Sequence, residues 1–141
     1  MVADVRLILF HKQSTSGRTR FLRFAQGLLA FEPLPALSAL VDEGAAAASS
    51  VRPHPAAALR AAEERLGLAG GSLKAEAEFY AEVETPAGAV PVLLAAFTSI
   101  DPPFDAAAQA GGQFIALTEA RGLHPLELDL ARRAYETILG G

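Results

Sequence analysis

The clearest helix pattern in the chain lies in residues 53–68, which read Pro-His-Pro-Ala-Ala-Ala-Leu-Arg-Ala-Ala-Glu-Glu-Arg-Leu-Gly-Leu. His54-Pro55 opens the stretch and Gly67 closes it, and these are the positions where proline and glycine favour a helix start and a helix C-cap. Three apolar side chains recur at helical spacing and form one stripe: Leu59, Ala62 and Leu66. The pattern therefore predicts an amphipathic helix over about 53–66 that packs its stripe on a core.

The segments on either side of this helix predict strands. Val5–Phe10 is rich in branched and aromatic residues, as a buried strand is. Residues 73–84 alternate apolar and polar side chains, although Ala75, Phe79 and Val83 also fit one face of a helix. We favour a strand because Thr85–Gly88 has turn chemistry and Val90–Ile100 can return as its partner.

The remaining elements complete a fold of the α/β (α+β) class. Residues 33–41 place leucines at helical spacing and predict a helix, whereas residues 18–31 fit either a second strand pair or a short helix. Gln113–Leu117 predicts a short last strand, and a C-terminal helix begins near Pro125. We expect one domain over residues 1–141, with a mixed β-sheet sandwiched between α-helices.

Composition excludes several classes of protein. The 141 residues contain no Cys, so a disulfide framework and a thiolate metal cluster are excluded. The formal net charge of −4 argues against a whole-domain nucleic-acid binder. No apolar run is long enough to span a membrane, and Val5–Phe10 is too short for the core of a signal peptide and has no basic region ahead of it. We expect a cytoplasmic protein with no membrane partner and no nucleic-acid partner.

The charge is unevenly distributed along the chain. Residues 1–32 carry five basic and two acidic side chains, and the rest carries seven basic against fourteen acidic ones. The stretch Lys12–Arg23 could grip phosphate, with Phe21 and Phe24 near enough for base stacking. We favour a hairpin with solvated arginines and buried phenylalanines, because the acidic remainder would repel a polyanion.

Common catalytic and phosphate-binding motifs are absent from the sequence. No P-loop, dinucleotide-binding glycine motif, nucleophile elbow or zinc-protease motif occurs. The three histidines are too scattered for a local metal signature. His54 and His124 each precede a proline at a predicted helix start, which favours a capping or an exposed role over catalysis or metal binding.

The helix sequence Ala57–Leu68 resembles the helix of the Nudix hydrolases, whose signature is G-x5-E-x7-R-E-U-x-E-E-x-G-U with U a bulky aliphatic residue. Placing Arg60 on the signature arginine puts Gly67 and Leu68 on the closing G-U. The order of elements is also similar over most of the chain. The resemblance implies a Nudix-like mixed sheet between helices, and in that family glutamates of this helix bind magnesium and help to activate water for attack on a diphosphate.

The departures from this signature point away from that chemistry. The metal-binding set falls on Ala61, Glu64 and Arg65, so Glu64 is the only carboxylate retained and the weak candidate for a catalytic residue. The upstream glutamate falls on Arg52 and the glycine on Ala46. One carboxylate beside a fixed positive charge is a poor magnesium site. We therefore predict no metal site and no cofactor, with magnesium expected only if the chain is a hydrolase after all.

Arginines stand where the family would place acids. We hypothesise that Arg52, Arg60 and Arg65 form a metal-free pocket for a nucleotide or another phosphate-containing small molecule, since guanidinium groups suit phosphate. The simpler interpretation is that Arg60 pairs with Glu64 one helical turn later, as a structural contact.

These observations support three functional hypotheses. The first is a Nudix-like domain without standard catalysis that serves as a binding or regulatory module. The second is a non-canonical nucleoside-diphosphate-type pyrophosphohydrolase that uses acids outside the signature, such as Glu82, Glu84 or Asp101. The third is a small α/β accessory protein that binds a partner protein. An exposed hairpin strand over Val90–Phe97 could also support a homodimer.

Overall fold

The protein is described by a computed structural model that covers residues 5–49 and 52–140. Within this range the centre of the fold is one mixed β-sheet. Its strands are β1 (Arg6–Lys12), β2 (Thr19–Phe24), β3 (Leu29–Ala30), β4 (Ala39–Leu40), β5 (Leu73–Ala75), β6 (Ala81–Thr85), β7 (Gly88–Phe97) and β8 (Gly112–Ile115). The helices are α1 (Glu43–Ala47), α2 (Ala56–Arg65), α3 (Phe104–Gln109) and α4 (Pro125–Gly140), with a 3₁₀ turn at Leu117–Glu119.

The sheet is built around β1 and β7. The spatial order is β4-β6-β7-β1-β2-β8, while β3 also pairs with β1 and β5 also pairs with β7. β1 and β7 run parallel, with Leu7 opposite Leu93, and the other pairs are antiparallel. A parallel pair needs a crossover connection, and here that connection includes α2.

Helices cover both faces of this sheet. Side chains that alternate along β1 point to opposite faces, so Ile8 and Phe10 pack in one core while Leu7 and Leu9 pack in the other. α4 contributes Leu130 and its apolar neighbours to the first core. α2 and α3 lie over the second core. The predicted α+β class, with a mixed sheet between helices, is confirmed.

The predicted helix over residues 33–41 is wrong. Most of this segment is an irregular loop, and its last residues form β4 and the start of the connection to α1. Leu34 precedes Pro35, which disfavours helical backbone at Leu34. Leu37 is 90 % exposed and has a φ of 66°, so the leucine spacing does not mark a buried helix face.

The single strand predicted over 73–84 is two strands, β5 and β6. Both pair with β7, at Ala75 opposite Ala95 and at Ala81 opposite Val92. Five residues therefore lie between Ala75 and Ala81, whereas only two lie between their partners on β7. The polar–apolar alternation continues through this outward loop, which is why the pattern alone gave no sign of the break.

The segment 18–31 contains strands, one of the two alternatives the sequence left open. β1 and β2 form a hairpin, and Phe21 and Phe24 are buried in the core as expected. β3 then returns to pair with the start of β1. The helix α3, which follows Pro102-Pro103, was not predicted.

β7 lies inside the sheet and not at its edge. It pairs with β6 and β5 on one side and with β1 on the other. The expectation that Val90–Phe97 forms an exposed hairpin strand is therefore wrong, because a strand with neighbours on both sides leaves little backbone to pair with a second chain.

Candidate functional site

The helix α2 is held in a defined position by both of its ends. His54 Nδ1 accepts a hydrogen bond from the Ala56 N–H at 3.2 Å and so satisfies one donor at the helix start, while the N-cap residue itself is Pro55. At the other end the Leu68 N–H donates to the Glu63 carbonyl at 2.8 Å, and Gly67 adopts a φ of 70°. This is the glycine C-cap that the sequence predicted.

A groove runs between α2 and the strands β1 and β3. We call it the Arg65 groove, with a volume of about 360 Å³. Its polar lining comes from Arg6, Glu32 and Arg65. The helix side is lined by four small side chains, which are Ala57, Ala58, Ala61 and Ala62. The groove therefore has a flat helical wall and two guanidinium groups beside it.

Arg65 is held at this groove by an aromatic ring. Its guanidinium carbon lies 4.6 Å from the centre of the Phe31 ring, and its Nη1 lies 3.9 Å from Glu32 Oε1. The Arg65 side chain is still 58 % exposed. Stacking on a ring restricts a guanidinium while leaving its N–H groups free to bind in the ring plane.

Arg6 is the buried cation of the groove. It is only 6 % exposed, and its Nε donates to the Glu32 carbonyl at 3.1 Å. Its Nη2 is 3.4 Å from the Pro33 carbonyl. These contacts tie the residues that follow β3 to the first strand, so Arg6 supplies positive charge beneath the groove while it also holds the groove's outer wall in place.

The structure does not bring the three predicted arginines together. Arg52 stacks on the Tyr80 ring at 4.4 Å, and its Nη2 donates to the Ala47 carbonyl at 3.0 Å. Arg60 and Glu64 line a separate open depression beside the end of α2, and no ion pair joins them in the described chain. Arg52, Arg60 and Arg65 thus lie in three different depressions.

The acids proposed for hydrolysis do not converge either. Glu82 on β6 stands opposite Pro91, near the start of β7, whereas Asp101 lies beyond the end of β7 and accepts from Gln13 Nε2 at 3.0 Å. The strand from Pro91 to Phe97 alone spans about 20 Å at ~3.3 Å per residue. Among residues 5–49 and 52–140, no group of three or more His, Asp or Glu side chains could hold a metal ion.

The side chains of Ala61 and Arg65 show whether the Arg65 groove could bind magnesium. Ala61 offers no ligand and Arg65 brings a positive charge to the same wall. Magnesium prefers several oxygen ligands in octahedral geometry, which these side chains do not provide. The residues present therefore do not fit the metal that the family resemblance implies.

Glu82 belongs to a small polar cluster near the start of α2. It accepts a 2.6 Å hydrogen bond from the Tyr80 hydroxyl, whose ring carries Arg52. Partial burial raises the pKa of Tyr80 to about 12, with the hydrogen bond to Glu82 and its negative charge as further causes. Tyr80 thus stays protonated at neutral pH and serves as a donor to Glu82.

Two buried carboxylates escaped the sequence analysis. Glu63 on α2 is 6 % exposed, and its Oε2 accepts from the N–H groups of Gly71 at 3.0 Å and Leu73 at 2.9 Å. Glu127 on α4 is 7 % exposed, and its Oε1 accepts from the Leu28 N–H at 2.9 Å. Glu127 and Leu28 are 99 residues apart, so no local pattern could have revealed their contact.

Glu127 lines a second cavity, which we call the Glu127 pocket. Its volume is about 260 Å³, and it lies between the N-terminus of α4 and the loop over 33–38. His124 also lines it, and His124 Nδ1 accepts from the Leu126 N–H at 3.1 Å. The capping role predicted for this histidine is thereby confirmed.

Within the described residues no helix is both long and apolar enough to cross a membrane. Comparison with protein-family models gives no match to this chain, and comparison with curated protein sequences gives none either.

Proposed function

We propose that the protein is a binding or regulatory module that holds a phosphate-containing small molecule in the Arg65 groove without hydrolysing it. The proposal keeps the Nudix-like scaffold and the cytoplasmic location as hypotheses. The observation that carries it is the placement of Arg65, a half-exposed guanidinium stacked on Phe31 at the mouth of a groove.

The groove has the size and the chemistry for such a ligand. Small-molecule sites usually occupy about 300–1,000 Å³ and combine an apolar lining with few polar groups. The guanidinium of Arg65 can donate two parallel hydrogen bonds to phosphate oxygens. Arg6 also lines the groove, and its bond to the Glu32 carbonyl fixes the segment that carries Glu32 and follows Phe31.

Glu32 is the built-in competitor for the ligand. Its carboxylate lies 3.9 Å from Arg65 Nη1, a distance that marks a loose ion pair, and both side chains are more than half exposed. Exposed pairs of this kind contribute only about 0–1 kcal/mol. A phosphate group that binds Arg65 in a bidentate fashion can therefore displace Glu32 at little cost.

The wall of α2 supports binding without hydrolysis. Ala61 faces the groove where the resembled family carries a carboxylate, and Glu64 lies in a different depression. A phosphate bound to Arg65 thus meets methyl groups on the helix and no general base from it. We include the loss of metal-dependent turnover in the proposal for this reason.

The binding test uses isothermal titration calorimetry with inorganic pyrophosphate, nucleoside diphosphates and ADP-ribose. We expect Arg65→Ala to weaken binding at least tenfold, because it removes the exposed anion contact. Arg60→Ala is the matched control, since it removes an exposed arginine from the same helix but outside the groove. Glu32→Gln should strengthen binding a few-fold. Equal affinity of wild type and Arg65→Ala would overturn the proposal.

The turnover test separates this module from the pyrophosphohydrolase hypothesis. The same compounds are incubated with magnesium or manganese, and phosphate release is measured. We expect no release above background. Turnover that disappears in Glu64→Gln would show that the retained signature glutamate is catalytic, and the module hypothesis would then be wrong.

A further inference from the structure

The Glu127 pocket combines a buried carboxylate with an open volume. Glu127 is 7 % exposed and yet lines a cavity of about 260 Å³. We propose that this pocket is a binding site for a small primary amine, whose ammonium group contacts the second oxygen of Glu127.

The two oxygens of Glu127 have different surroundings. Oε1 accepts the Leu28 N–H at 2.9 Å, whereas no donor in the described residues reaches Oε2. A carboxylate removed from most of its water is stabilised by charged donors far more than by neutral ones. An ammonium group supplies both the missing donor and the opposite charge.

The absence of a side chain at position 27 leaves room for the Glu127 carboxylate beside the backbone. A Cβ at Gly27 would lie 2.4 Å from Glu127 Oε1 and 2.7 Å from Oε2. Gly27 also has a φ of 141°, which non-glycine residues rarely adopt. Glycine at position 27 therefore allows the carboxylate to lie where its Oε1 accepts the Leu28 N–H and where Glu127 lines the pocket.

The walls suit a short organic chain attached to the ammonium group. Pro33, Leu34 and Pro35 form one side and Leu126 the other. Gln26 Nε2 donates to the Phe31 carbonyl at 2.6 Å and so supports the loop that carries the prolines. A volume of about 260 Å³ admits an amine with a few carbon atoms.

His124 offers a second polar contact in the same pocket. Because its Nδ1 accepts the Leu126 N–H, the neutral ring carries its proton on Nε2. That nitrogen can donate to a carbonyl or hydroxyl oxygen of the ligand. An amine with such an oxygen a few bonds away therefore matches the pocket better than a plain alkylamine.

Other ligand classes fit this pocket less well. An anion would meet the negative charge of Glu127, and a divalent cation would find only one carboxylate where several oxygen ligands are needed.

The test titrates ¹⁵N-labelled protein with glycinamide, butylamine, acetamide and acetate and follows the amide resonances. We expect glycinamide to bind most tightly, butylamine next, and the neutral and anionic compounds at least tenfold more weakly. The Leu28 resonance should move with the amines, because its N–H is bonded to the responding carboxylate.

The deciding variant is Glu127→Gln, which keeps an oxygen for the Leu28 N–H and loses the charge. We expect amine affinity to fall at least tenfold, while the control Glu64→Gln leaves it unchanged. Unaltered amine affinity in Glu127→Gln, or acetamide binding as tightly as glycinamide, would overturn the proposal. If Glu127→Gln does not fold, the wild-type titration decides, because a Leu28 resonance that the amines leave unmoved overturns the proposal equally.

This inference is independent of the proposed phosphate site. Arg65→Ala should leave amine binding unchanged, and Glu127→Gln should leave pyrophosphate binding unchanged. Failure of either proposal is therefore visible without reference to the other.

Discussion

Glu63 and Glu127 lie on opposite faces of the sheet, on α2 and on α4, and they are almost equally buried. Glu63 accepts two backbone N–H groups with one oxygen and ties α2 to the chain entering β5. Glu127 accepts one N–H and lines the Glu127 pocket, and Glu63 in turn lines the open depression beside the end of α2. Burial and a neighbouring open volume are common to both carboxylates, so the difference between them is the number of backbone donors that each accepts: two for Glu63 and one for Glu127.

The largest effect should come from removing the better-satisfied carboxylate. Glu63→Ala leaves two N–H groups without their charged acceptor, and we expect a loss of about 3 kcal/mol in the free energy of unfolding. Glu127→Ala strands one N–H and should cost about 1–2 kcal/mol. Urea denaturation measures both, with the exposed Glu64→Ala as control. A larger loss for Glu127→Ala than for Glu63→Ala would reverse the comparison.

The glycines beside the two carboxylates give the next largest effect. Gly27→Ala should destabilise the protein by about 2 kcal/mol. The added Cβ would collide with Glu127, and alanine would be strained at the backbone conformation of this position. Gly71, which donates to Glu63, has a φ of 88° and open space around its Cβ. Gly71→Ala should therefore cost only about 1 kcal/mol, from backbone strain alone.

Thermal denaturation of the two alanine variants checks this difference. If Gly27→Ala is as stable as Gly71→Ala, the position of the Glu127 carboxylate does not require glycine at position 27.

The histidine caps test whether the two helices that carry the carboxylates are held alike. His54→Ala and His124→Ala each remove a side-chain acceptor from a helix start, and each should cost about 1 kcal/mol. Asparagine at either position should restore most of the loss, because it can accept the same N–H. Guanidinium denaturation of the four variants measures this, and a loss that asparagine fails to rescue would point to packing and not to capping.

The smallest effect concerns Glu82, a half-buried carboxylate with a side-chain donor. Its partner Tyr80 has a pKa raised from 10.0 to about 12, so the folded chain holds this proton more tightly than the unfolded chain does. The contribution of the protonated Tyr80 hydroxyl to the free energy of unfolding is therefore complete below pH 10, and it is lost as the pH rises through about 12. Glu82→Gln should lower the pKa of Tyr80 toward its ordinary value of 10.0.

Ultraviolet absorbance of the phenolate follows this titration. The chain has two tyrosines, so a Tyr135→Phe background leaves Tyr80 as the reporter. An unchanged midpoint in Glu82→Gln would assign the shift to burial alone.

Local signals predicted the elements whose causes are local. The proline and glycine around α2, the turn Thr85–Gly88 and the buried run of β1 each fix backbone within a few residues, and each was predicted correctly. The leucines of 33–41 misled because spacing does not show whether a face is buried. The break between β5 and β6 depends on how both strands pair with β7, and the sequence of the segment does not show this pairing by itself.

The candidate sites depended even more on distant contacts. The sequence placed Arg65 among the ligand contacts, but it could not show that Phe31 would hold it or that Arg52 and Arg60 would lie elsewhere. The role of Glu127 could not be predicted for the same reason, since it depends on contacts with Gly27 and Leu28, which lie far away in the sequence. Residue type suggested the chemistry, and tertiary structure decided which residues meet.

The parallel pairing of β1 with β7 has a consequence for biosynthesis. Leu7 on β1 pairs with Leu93 on β7, so β1 cannot form this pairing until most of the chain has been synthesised. Long-range pairings slow folding and leave apolar strands exposed meanwhile. The β1–β2 hairpin can form early and shield one edge of β1. A nascent chain that stalls before β7 would therefore be prone to aggregate through the unpaired edge of its first strand.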